Sequence, residues 1–126
     1  MKVSIITLII LVLFFGGAIY GNIYINNSAD QLTYEIEKLD ESIDELNWDE
    51  AKIHMEGIMD NWQKIKKIWL TILEHEEVNN IDLLLGRLKR YVEIEESNDA
   101  TSEIAALKLL IQHTTEKGSF KLVNIL

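Results

Sequence analysis

Three histidines, three tryptophans and a dense set of carboxylates are the residues of this chain with chemistry to offer. Imidazole with carboxylate is a zinc ligand set, so His54, His75 and His113 come first. His54 and His75 stand 21 positions apart, about 31 Å along one helix, and cannot share an ion within one molecule. His75-Glu76-Glu77 has no second ligand one turn on. No metal is expected, and the histidines read as surface or cap residues. The acids Asp40-Glu41 and Asp44-Glu45 lack the glycine turn and spaced oxygen ligands of a calcium loop, and on a helix they make a solvated face. Trp62 and Trp69, with His75 and Tyr91, would line a ligand site if one lay between helices. The seven-residue spacing of the two tryptophans instead puts both on an apolar stripe. With no cysteine, no phosphate loop and no clustered acid–base pair, the chain is read as non-enzymatic and free of cofactors.

The elements that carry these residues follow from apolar spacing. Leu32, Ile36, Leu39, Ile43 and Leu46 step by four and three, and Ala51, Met55, Ile58, Trp62, Ile65, Trp69 and Ile72 continue the pattern in a second block. Ser28-x-x-Gln31 and Asn47-x-x-Glu50 have the form of capping boxes opening these two helices. The second helix is expected to run to His75–Val78, with Asn79-Asn80 as punctuation. A third carries Ile81, Leu84, Leu85, Leu88, Tyr91 and Val92. A fourth, capped at Asn98-Asp99, carries Ile104, Leu107, Leu110 and Ile111 and stops at Lys117-Gly118. With no proline and short connections, the expectation is all-α: residues 28–118 as an antiparallel four-helix bundle of two helical hairpins, followed by an apolar tail at 119–126.

Ahead of the bundle, residues 3–29 carry no charge. Val3–Ile25 is long enough to cross a hydrocarbon core of about 30 Å, with Tyr20 and Tyr24 at interfacial depth. Residues 1–25 therefore read as a transmembrane helix, an uncleaved signal-anchor, because the basic region is a single lysine and the apolar run exceeds that of a cleaved signal. Lys2 precedes the span and acids follow it, which puts the N-terminus inside and the bundle outside the cytoplasm. Apart from Lys2 the chain holds 11 Lys and Arg against 21 Asp and Glu, a balance that disfavours nucleic acid and anionic surfaces. The 11 acids between Asp30 and Asp60 face only Lys38 and Lys52 in that stretch, so docking onto Lys64, Lys66 and Lys67 is expected. Gly17-x-x-x-Gly21 offers a close-packing face for a second span, including a homo-oligomer.

The anchor, Asn47-Trp48-x-x-Ala51, Trp62 and Trp69, Leu73-x-His75-x-Glu77, Leu88-x-x-Tyr91 and the ending Asn124-Ile125-Leu126 together resemble the DUF4363 family over nearly the whole chain. The resemblance implies a bacterial single-span membrane protein and supplies no activity, cofactor or site. The combined expectation is an interaction domain on the bacterial cell membrane, an accessory subunit of a membrane or envelope partner. Gly17, Gly21, Phe120, Leu122, Ile125 and Leu126 are its candidate contacts. A module sensing a small molecule or cation is the alternative.

Overall fold

The computed structural model describes the backbone of residues 1–125 and the side chains through Gly118. Four helices make up the fold: α1 Lys2–Asp44, α2 Trp48–Ile72, α3 His75–Glu93 and α4 Ser97–Ile125. Consecutive helices pack together and α4 closes onto α1, giving an antiparallel four-helix bundle. One buried residue per turn fills its axis: Leu32, Ile36, Leu39 and Ile43 from α1 meet Met55, Ile58, Trp62 and Ile65 from α2. Val78, Ile81, Leu85 and Leu88 from α3 and Ile104, Leu107 and Ile111 from α4 close the other half. Leu84, Tyr91 and Leu110 flank this core half-buried, and Leu46 is exposed.

The largest departure from the sequence expectation is that α1 is one helix of 43 residues. Ser28 opens nothing. Its hydroxyl donates back to the carbonyls of Tyr24 and Ile25 at 2.7 and 3.1 Å, inside the helix. No proline or left-handed residue interrupts the chain there, so no element separates the apolar segment from the bundle. The bundle begins at Gly21, which is buried beneath Ile72 Cδ1.

The two turns farthest from the apolar segment share one construction. Leu46 N–H donates to Ile43 and Asn47 N–H to Ser42; Glu95 N–H donates to Val92 and Glu96 N–H to Tyr91. These are Schellman pairs, which need a left-handed residue. Leu46 and Glu95 supply it at φ 56° and 59° without being glycine. Asn47 then caps α2 as the sequence indicates, accepting from Glu50 N–H at 3.3 Å while its amide donates to the Glu50 carboxylate.

The near turn differs from expectation. α2 stops at Ile72, Leu73 and Glu74 are extended, and α3 starts at His75, leaving Asn79-Asn80 inside a helix. Leu73 is buried in the core at the position where the helix ends. Gly118 does not terminate α4, which continues through Ile125. It is instead a close-approach position, since a β-carbon there would collide with Leu73 Cδ2.

Gly118→Ala should therefore lower stability only slightly, by less than about 1 kcal/mol, because displacing the Leu73 side-chain tip is offset by the roughly 1 kcal/mol that alanine gains over glycine inside a helix. Leu46→Gly should raise it by about 1 kcal/mol, by removing the left-handed strain of a side chain exposed to solvent. Thermal unfolding of the full chain in detergent checks both signs.

Candidate functional site

Where the bundle meets the apolar segment, chemistry and packing converge. Two indoles hold this end together. Trp62 and Trp69 are fully buried and meet edge to face, centroids 5.6 Å apart at 89°. A buried indole N–H needs an acceptor, and each finds one on a different helix. Trp69 donates to Ser28 Oγ of α1 at 2.8 Å, and Trp62 donates to Asp82 of α3 at 2.9 Å. Lys66 also pairs with Asp82 at 3.1 Å. Burial raises the Asp82 carboxyl, but the Trp62 and Lys66 hydrogen bonds and the Lys66 charge more than offset it and hold the group below its ordinary value.

On the opposite side, Glu77 receives Lys117 Nζ at 3.2 Å and the Thr114 hydroxyl at 3.1 Å, joining α3 to α4. The Lys117 hydrogen bond is the main cause that holds the Glu77 carboxyl low, against burial and with help from Thr114. The cleft beside it, between Leu73 and Gly118, has room for about one water molecule.

Beyond Gly21 the apolar segment packs on nothing. No residue of its most hydrophobic stretch is buried, and Val3, Leu13 and Tyr20 are 77, 70 and 72% exposed. Its one described side-chain hydrogen bond turns inward, Thr7 Oγ1 to the Val3 carbonyl at 2.8 Å. A stretch this apolar is long enough to cross a membrane, and a helix is a form in which backbone polar groups survive there.

An open groove of about 400 Å³ runs between α1 and α2 where this segment joins the bundle. Tyr20, Ile23 and Tyr24 line one end, and Asn27, Gln31 and Lys64 the other. A second groove of about 340 Å³, between α1 and α4, has Asp30 and Lys108 on its walls.

The residues singled out from sequence are distributed unevenly over this geometry. Gly17 is open on all sides, whereas Gly21 is covered by Ile72 of the same chain, so the small-residue pair does not form one free face. Trp62 and Trp69 lie in the core. His75 is exposed at the start of α3, and Tyr91 lies 16 residues on beside Arg87, whose guanidinium is held more firmly protonated by Tyr91 and then Glu103. Those two sit about 24 Å apart along the helix, so the four aromatic and histidine candidates do not assemble into one site. His54 rests near Glu50 at 3.3 Å on its own helix, and His75 belongs to the next helix. Among the described residues no group of three metal-ligating side chains comes together. The side chains of Phe120, Leu122 and Ile125, and all of Leu126, lie outside the described residues. The expected docking of acids onto the lysines of α2 does not form: Lys66 binds α3, and Lys64 and Lys67 are exposed without an ion pair among the described residues. Sequence reasoning missed the groove because its walls come from two helices whose register is set only by packing. It missed the role of Ser28 because the same residue type serves as helix cap and as buried acceptor.

A family model described as a domain of unknown function, DUF4363, matches residues 19–125. The chain belongs to the DUF4363 family. The match begins two residues before Gly21, so it takes in the whole bundle and leaves out most of the exposed apolar segment. No curated protein and no solved structure matches this DUF4363 chain.

Removing the Trp69 acceptor with Ser28→Ala should cost about 1–3 kcal/mol, because a buried N–H loses its partner. Asp40 tests the opposite sign. Burial first, then Asp44, raise its carboxyl above the ordinary 3.8, and Oδ1 is buried without a hydrogen bond. With a raised folded-state value, its favourable contribution is complete below about pH 4 and disappears as pH rises through that value. Asp40→Asn should therefore raise the melting temperature at pH 7 and leave it unchanged near pH 3. Glu77, held low, behaves oppositely, and Glu77→Gln should flatten the loss of stability on acidification below about pH 4.5.

Proposed function

We propose that this protein is a non-enzymatic, membrane-anchored interaction module, an accessory subunit that holds a small acidic helical bundle at fixed distance and orientation beside a membrane partner. One observation carries the reading. No residue in the most hydrophobic stretch of α1 is buried, and that stretch runs without interruption into the bundle core. Soluble monomers seldom expose so large an apolar surface. Val3 to Ile23 rises about 30 Å, the thickness of a hydrocarbon core, which brings the Ile72–Leu73 turn down to the membrane interface.

The charge on the flanks of the span favours the N-terminus in the cytoplasm and the bundle outside it, on a bacterial cell membrane. The outer half of the bundle presents most of the acids: Glu37, Glu41, Glu45, Asp49 and Glu56 are all exposed there. That surface suits a cationic patch on a partner. Gly17, open within the span, is the remaining position for a close helix contact.

The chain has no cysteine, so a single Ser102→Cys reports the location of the bundle. The expected outcome is full-length protein in the membrane fraction, labelled in intact cells by an impermeant thiol reagent. Labelling only after permeabilisation would place the bundle inside, and a shortened, released protein would remove the anchor.

A further inference from the structure

We infer that the groove between α1 and α2 is a binding site for the headgroup of an anionic phospholipid from the leaflet next to the bundle. The inference rests on the anchored reading given above. Along α1 the lining passes from Tyr20, Ile23 and Tyr24 to Asn27, Ser28 and Gln31, at three- and four-residue steps on a single face. Polarity therefore increases in the direction that leads out of the hydrocarbon, over about 16 Å, as it does along a lipid from its first methylenes to its phosphate. With Ile23 at the hydrocarbon boundary, Asn27 lies about 6 Å above it, at headgroup depth.

Charge selects the class of lipid. The chain carries 21 acids against 12 bases, yet the lining of this groove holds one cation, Lys64, and no carboxylate. Lys67, one turn closer to the membrane, is exposed beside it, and neither lysine is in an ion pair among the described residues. Glu35 marks the outer limit. It accepts from the Asn61 amide at 3.3 Å and so confines a phosphate to the level of Lys64, Asn27 and Gln31. The α1–α4 groove lacks this selectivity, because it carries Asp30 as well as Lys108, and Lys108 is within 3.9 Å of Glu37. At about 400 Å³ the α1–α2 groove falls within the usual range for a ligand site.

Full-length protein in detergent micelles, with its side-chain amides labelled for NMR, is titrated with short-chain phosphatidylglycerol, short-chain phosphatidylcholine and inorganic phosphate. Saturable shifts of Asn27 and Gln31 with phosphatidylglycerol are expected, with little response to phosphatidylcholine or phosphate. Lys64→Gln should weaken the phosphatidylglycerol response about fivefold, the weight of one lysine near an anionic surface. Lys89→Gln, exposed on the far half of α3, should leave it unchanged. Equal response to phosphatidylcholine, reproduction of the shifts by inorganic phosphate, or equal effects of the two substitutions would overturn the assignment. Each of these failures leaves the membrane fractionation untouched, so loss of the lipid site and loss of the anchor are distinguishable.

Discussion

A hydroxyl that donates into its own helix while accepting from another joins the two halves of this molecule. Ser28 satisfies itself on the Tyr24 and Ile25 carbonyls, and so keeps α1 helical at the position where a serine would otherwise start a new helix. Its oxygen, whose lone pairs are not used in that donation, accepts the Trp69 indole N–H. The same atom therefore preserves the continuity of α1 and fixes α2 against it. Once Trp69 is in place, Trp62 is held edge-on against it and its own N–H is aimed at Asp82, which brings in α3. Three helices are tied through two indoles at the end of the bundle nearest the apolar segment.

Mechanical coupling follows from that continuity. A flexible linker would let an anchored domain sample many orientations. Here the apolar segment and the first bundle helix are one rod, so a tilt or rotation of that segment is passed directly to the bundle. The core carries the load through aliphatic packing. The ion pairs are mostly at the surface, where each contributes about 0–1 kcal/mol, and Lys52–Glu95 and Lys38–Glu41 are of that kind. Glu103, buried against Arg87, is the costlier arrangement, since one carboxylate oxygen lacks a well-aligned donor.

Much of the fold was legible in sequence, because aliphatic spacing over three or more turns leaves little choice. The stripes Leu32–Ile43, Ala51–Trp69 and Ile104–Ile111 are the core, and Asn47 caps as its spacing indicates. The ends of elements were less legible. Ser28-x-x-Gln31 has the letters of a capping box, but its hydroxyl has a buried indole to serve. Asn79-Asn80 looks like punctuation, but the helix break is set six residues before Asn79, where Leu73 turns inward. Gly118 reads as a stop, but it is the place where a helix must pass close to Leu73. In each case a contact from a distant helix outweighed a local preference. The candidate site was less legible still. Tyr20, Tyr24 and the lysines of α2 were each visible, but only the α1–α2 register brings Lys64 level with Gln31.

The central claim is that α1 is uninterrupted from the apolar segment to the outer end of the bundle. It is tested most directly by electron spin–spin distance measurement between labels at Ile5→Cys and Glu41→Cys, both exposed, in full-length protein in a lipid bilayer. The two positions are 36 residues and ten turns apart on one face, so a continuous helix gives a single narrow distance of about 54 Å. A shorter or broad distribution would mean that the chain bends near Ser28, and the rigid coupling of apolar segment to bundle would be wrong.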